Sequence, residues 1–182
     1  FKEGENSFKL AGVGSQTELD LSGKMLKSSA EIKDFTFVDA SGYAPISFTM
    51  SDLAYEEDYG KGVSITEYFA GAAVADGKGS IKSIKIDDIS LSELAFTGQS
   101  AKTQNQSLPE AGEMLASKVN ISIKSVESPM MQIKLDDIKG EFEVENVSME
   151  FVQAFYAGEF GAILPDDMLQ IFFATQPVVK FS

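Results

Sequence analysis

The chain has 182 residues, 43% of them apolar, and a formal net charge of −13. It contains no His, no Cys, no Arg and no Trp. Those absences remove the imidazole general base, thiolate nucleophiles, zinc or iron–sulfur ligation and the guanidinium clamp for phosphate, and the negative surface repels nucleic acid.

The apolar content, with 14 Phe, suffices for a core. No run approaches the roughly 20 apolar residues of a membrane-spanning helix. The chain starts at Phe1 without a signal-peptide pattern, which reads as a piece of a longer protein. It is read as one β-rich domain over residues 1–182, with a sub-boundary near 60–80.

Period-two alternation dominates from the start. Residues 7–13 and 16–21 read as a hairpin with Gly12 and Gly14 near the turn. Strands follow at 30–38 and 44–55. The pattern Ser64-Ile65-Thr66-Glu67 is a capping box and predicts a short helix to about Val74. Strands are predicted at 80–86 and 89–96, and a helix from Ser107-Leu108-Pro109-Glu110 with Leu108, Ala111 and Leu115 on one face. Strands at 119–126, 131–138 and 141–147 come next. Ser148 starts a third helix carrying Met149, Val152, Phe155, Tyr156 and Phe160. Pro165 opens a fourth over 166–174, and 177–181 closes the chain as a strand. Turn signals stand at Ser41-Gly42, Tyr59-Gly60-Lys61-Gly62, Asp76-Gly77-Lys78-Gly79 and Thr97-Gly98.

An acidic motif recurs inside the strands. Ile32-Lys33-Asp34-Phe35, Met50-Ser51-Asp52-Leu53, Ile86-Asp87-Asp88-Ile89 and Leu135-Asp136-Asp137-Ile138 each place apolar residues three apart around an Asp. Side chains alternate strictly along a flat strand, so such a pair cannot share a face. Ile84 and Ile86 have one parity, Ile89 and Leu91 the other, and Leu94 and Phe96 switch back. A β-bulge, a bend or a hairpin turn is therefore expected at each of these positions.

The same Asp pairs offer hard oxygen ligands, but no EF-hand loop is present: Asp76-Gly77-Lys78-Gly79 puts a Lys where a calcium ligand should stand. Solvated turn positions account for them, and neither a metal nor a cofactor is expected. No nucleophile motif, GxGxxG pattern or phosphate loop occurs. The triplets at Asn105, Asn120 and Asn146 match the glycosylation pattern and are discounted as chance. The chain is read as not an enzyme. Its distinctive feature is apolar: Phe155, Tyr156, Met168, Leu169, Phe172 and Phe173 crowd two adjacent helical segments, as core or as contacts for a ligand or partner.

The strings GSIKSIKIDDISLSELAFTG (79–98), MQIKLDDIKGEFEVENVSMEFVQAFYAG (131–158) and DDMLQIFFATQPVVKFS (166–182) resemble the YdgA-like family of bacterial envelope proteins and, more loosely, AsmA-like proteins. The resemblance covers residues 79–182. It implies a longer protein, with an N-terminal membrane anchor that this chain lacks, on the periplasmic side of an inner membrane. It brings no catalytic residues. The expected fold is α+β, a twisted, bulged antiparallel sheet covered by a few short helices. The expected role is a non-enzymatic cell-envelope binding domain, periplasmic or extracellular. It would be peripheral to the membrane and contact a lipid-like ligand or an envelope protein. The alternative is a structural surface or filament subunit, oligomeric through its sheet edges.

Overall fold

The computed structural model describes residues 2–3, 6–40, 46–156 and 174–182. Nine antiparallel strands lie side by side in chain order as one meander: β1 (Lys2–Glu3), β2 (Asn6–Leu19), β3 (Met25–Asp39), β4 (Ile46–Val63), β5 (Asp76–Ile86), β6 (Ile89–Gln104), β7 (Glu113–Ser128), β8 (Ile133–Ser148) and β9 (Val178–Phe181). Seven of them, β2 to β8, run 11 to 18 residues.

The expectation of an α+β fold is overturned: the sheet is almost the whole structure, and no layer of helices covers it among the described residues. The Ser64 capping box is real. Ser64 N donates to Glu67 Oε2 at 2.9 Å and Glu67 N to Ser64 Oγ at 3.2 Å. Its helix α1 (Ile65–Phe69) is only five residues long and buries none of them. The Ser107 segment makes only a 3-10 turn (Pro109–Ala111), because Gly112 leaves it at φ 79° and β7 starts at Glu113. Leu115, placed on a helix face by its spacing, is a strand residue. Ser148 does start α2 (Met149–Tyr156), its Oγ accepting from Phe151 N at 3.4 Å. The fourth helix, read at 166–174, lies outside the described residues except for Ala174.

Four turn readings fall inside strands, among them Tyr59-Gly60-Lys61-Gly62 within β4, and at Gly12, Gly77 and Gly79 the glycine makes room for a neighbour's side chain. Residues 7–19 lie in one strand, not a hairpin; Gly12 sits at φ 63° beneath the Lys33 side chain, whose Cγ would stand 2.4 Å from an added Cβ. Gly77 and Gly79 lie inside β5, and Thr97-Gly98 inside β6. Residues 131–147 likewise form one strand from Ile133 on. The Ser41-Gly42 signal lies outside the described residues.

Around the acidic motif the strands keep their register. The ladders align one apolar row across seven strands, Leu10–Phe35–Met50–Ile84–Leu91–Val126–Leu135, and a second, Val13–Ile32–Leu53–Ile81–Leu94–Ile123–Ile138. Between them runs a row of small or polar residues (Ala11, Asp34, Ser51, Ser83, Ser92, Ser125, Asp136), in which Ser51 pairs with Ser83 and Ser92 with Ser125, each at 2.8 Å.

The remaining row, interpolated in the same ladders, is Gly12, Lys33, Asp52, Lys82, Glu93, Lys124 and Asp137. Every even-numbered strand is left-handed there: Gly12 at φ 63°, Asp52 at 47°, Glu93 at 47° and Asp137 at 52°. A left-handed residue breaks the strict alternation of a pleated strand. No residue is inserted at this row, since the pairing keeps its register across it. The phase change expected at Asp52 and Asp137 is thus a backbone rotation, not a bulge. Asp87-Asp88 is a hairpin turn, with Ile86 paired to Ile89 and Asp87 at φ 52°. Asp34 itself needs no turn.

Lysines of the odd strands alternate with acids of the even strands along this row. Asp52 takes Lys33 at 3.7 Å and Lys82 at 3.5 Å, and Asp137 takes Lys124 at 2.7 Å. Such exposed pairs contribute little individually, on the order of 0–1 kcal/mol. Their worth lies in fixing which residues face each other.

The few buried apolar residues gather at the end of the sheet bearing α1 and α2: Met25, Tyr59, Val63, Met114, Val147 and Met149. Met25, Tyr59 and Val63 form one cluster, with Ala73 and Ala75 against it. At the same end, Asn105 Nδ2 donates to Thr175 O at 2.9 Å, and Thr175 Oγ1 to Asn146 O at 2.7 Å. Asn105 is buried, in keeping with discounting its glycosylation triplet. At the opposite end Ser128 Oγ donates to Asp88 Oδ2 at 2.6 Å, tying the β5–β6 turn to the β7–β8 turn.

The pH dependence of stability follows from these pairs. The Gly60 N–H holds Asp58, the Ser64 hydroxyl Glu67, and the Lys124 ammonium Asp137 below the usual carboxylate range. Glu141, Asp137, Glu127 and Glu145 hold Lys118, Lys124, Lys134 and Lys180 above the usual ammonium range. A carboxylate with a lowered folded value stabilises above its unfolded value and loses that as pH falls through the folded one. A lysine with a raised folded value stabilises below its unfolded value and loses that as pH rises through the folded one. With no histidine, the melting temperature should be flat from about pH 6 to about pH 9 and fall below about pH 4 and above about pH 10.5. Thermal melts followed by circular dichroism check this; a step near neutrality would contradict it.

Candidate functional site

Sequence reasoning placed the contact residues on the C-terminal helices. Phe155 and Tyr156 end α2, while Met168, Leu169, Phe172 and Phe173 lie outside the described residues. The described candidate site is instead on the sheet.

Next to the second apolar row, the ladders align Ser15, Ala30, Tyr55, Gly79, Phe96, Ile121 and Gly140. At its centre Gly79 stands between two rings, Tyr55 and Phe96. Phe96 on β6 reaches over Gly79 on β5 to Tyr55 on β4, ring centroids 5.9 Å apart. A Cβ on Gly79 would stand 2.4 Å from Phe96 Cζ, and one on Gly77 would stand 3.2 Å from the Tyr55 hydroxyl. The two glycines thus clear β5 so that rings from both neighbours can lie across it. The result is a shallow trough of about 560 Å³ lined by Ser15, Ala30, Tyr55, Gly79 and Phe96, among others. A second depression of about 410 Å³ continues past Phe96 to Ile121 and Gly140. The trough therefore crosses the strands from β2 to β8.

Polar side chains flank the trough: Gln16, Glu31, Glu56 and Lys78 line it, with Lys78 paired to Glu56 at 3.3 Å. Tyr55 donates its hydroxyl to Glu57 Oε1 at 2.9 Å, and Tyr59 donates to Glu57 Oε2. Burial, reinforced by the Glu57 carboxylate, pushes the Tyr59 hydroxyl far above its ordinary range, so it remains a donor. Glu57 thereby anchors the Tyr55 ring from its polar end. The two apolar rows are open on the outer strands, where Val13 is 62% exposed and Leu135 53%, with Leu10 exposed too, while inner members such as Met50, Leu53, Ile84 and Leu94 are half-buried. Phe8, Phe35 and Phe48 form an edge-to-face series at 5.3 and 5.5 Å along the other end of the sheet.

Comparison with family models, curated proteins and solved structures found no match. Among the described residues no group of three or more acids converges as a metal site, and no helix is long and apolar enough to cross a membrane.

The trough was missed because Gly77 and Gly79 read as a turn. The signal was their period-two spacing, which runs on without interruption into Ile81. The glycine–ring complementarity gives a direct test. Gly79→Val should push Phe96 off Tyr55 and cost about 1–3 kcal/mol. In the Phe96→Ala background the same change should cost much less, because the obstructing ring is gone. Urea unfolding of the four proteins measures the coupling; additive effects would contradict the packing.

Proposed function

We propose that this chain is a non-enzymatic binding domain that holds an apolar, lipid-like chain along the trough across β2–β8. The supporting observation is the row of small residues and rings itself, 560 Å³ of open space beside an unbroken apolar row of seven strands. Open apolar surface on this scale marks a contact site more often than it persists bare. A channel crossing several strands suits an elongated ligand. A bacterial envelope setting, periplasmic or extracellular, belongs to the same proposal and rests on the YdgA-like resemblance.

A structural subunit joined through sheet edges is the second reading, favoured by the outer flanks of β2 and β8. Among the described residues β1 covers only Asn6 and Ser7 of β2, and β9 only residues 142–145 of β8.

Native mass spectrometry of freshly purified protein separates these readings. A bound mass of lipid size, lost in Gly79→Val, is the expected result. Ladders of multimers without such a mass would favour the subunit, and a bare monomer would count against both.

A further inference from the structure

The odd strands share one sequence at the charged row: Ile32-Lys33-Asp34-Phe35 in β3, Ile81-Lys82-Ser83-Ile84 in β5 and Ile123-Lys124-Ser125-Val126 in β7. The even strands answer with Met50-Ser51-Asp52-Leu53, Leu91-Ser92-Glu93-Leu94 and Leu135-Asp136-Asp137-Ile138. Asp52 sits between Lys33 and Lys82, and register puts Glu93 between Lys82 and Lys124. Asp137 meets Lys124 on its β7 side, and its side chain remains 68% exposed.

On the outer flank of β8 the ladder with β9 runs from Glu145–Val178 to Phe142–Phe181. It ends with Ser182 and Glu141 exchanging backbone hydrogen bonds at 3.0 and 3.1 Å. Beyond that point, over residues 133–140, no strand is paired to this flank among the described residues.

We propose that this flank of β8 is a docking edge for a partner strand of the odd-strand type, with the pattern Ile-Lys-polar-apolar. The strand enters antiparallel, in the register that β9 already sets, with its lysine opposite Asp137. Apolar residues then meet Ile138 and Leu135, completing both apolar rows. Lys134, Asp136, Asp137 and Lys139 make the edge a poor template for an arbitrary strand, because charges on an open edge block indiscriminate pairing. They leave it a good one for a strand whose charges match, as β7 shows on the inner side with Glu127 against Lys134 and Lys124 against Asp137. Among the described even strands, β2 also has a largely open flank, but it carries Gly12 at this row and offers a lysine no acid. The proposal rests on strand pairing and stands whether or not the trough holds an apolar ligand.

A peptide copying residues 121–128 (Ile-Ser-Ile-Lys-Ser-Val-Glu-Ser), the stretch that β7 sets opposite residues 133–140, is the probe, added to the intact chain and followed by hydrogen exchange. Protection should rise over residues 133–140 and not over 9–17. The peptide bearing Lys124→Glu should bind roughly three- to ten-fold more weakly, since an opposed pair becomes a like-charge pair. In protein carrying Asp137→Lys the preference between the two peptides should reverse. Equal binding of both peptides to the unmodified protein, protection elsewhere on the sheet, or no protection at millimolar peptide would each overturn the proposal. The peptide comparison needs no change to the protein, so misfolding of Asp137→Lys would not rescue it.

Discussion

Glu93→Val is expected to destabilise the protein by about 2 kcal/mol or more, whereas Glu93→Gly is expected to be neutral or stabilising by up to about 1 kcal/mol. Glu93 stands inside β6, a strand paired on both sides, at φ 47°. Valine is the better strand residue by propensity and should help if β6 were an ordinary strand there. In the left-handed region its branched Cβ meets the backbone, and the order inverts. Glycine enters that region freely, as Gly12 does at the same row of β2. Chemical denaturation of the two variants checks the inversion. If valine stabilises and glycine destabilises, the row of left-handed residues is not a property of this sheet.

Met114→Ala should lower stability by about 2–5 kcal/mol, within the range for deleting a fully buried side chain. Met114 is 0% exposed, at the start of β7, where it pairs with Thr103 and Ser148. Among the described residues few are buried, so the sheet depends heavily on each. Met114→Leu, of similar volume, should cost less than about 1.5 kcal/mol. Urea midpoints measure both. A loss under 1 kcal/mol in the alanine variant would mean that this end of the sheet contributes little to holding the strands together.

Local signals were legible where one residue type has one physical use. The Ser64–Glu67 box, the start of α2 at Ser148 and the Asp87-Asp88 turn could each be read from the sequence. So could the change of phase at Asp52 and Asp137, because apolar residues three apart contradict a flat strand. Longer-range organisation was not legible. The apolar residues of β2–β8 have the composition of a core, and composition alone implies that something covers them, hence the expected helical layer. That rows from seven strands fall into register, with Lys33, Lys82 and Lys124 facing Asp52, Glu93 and Asp137, becomes visible only once strand order is known. Glycine was the most misleading residue. Gly12, Gly77 and Gly79 carry the same letter as a turn glycine, but each makes room for a neighbour's side chain.

Photo-crosslinking with a diazirine-bearing long-chain fatty acid is the most direct test of binding along the trough. Attachment should concentrate on the peptides bearing Tyr55, Phe96 and Ile121, fall sharply in Gly79→Val, and be competed by unlabelled fatty acid. Labelling spread over the whole sheet, or unaffected by Gly79→Val and by competitor, would show that the row of rings and glycines is not where an apolar chain is held.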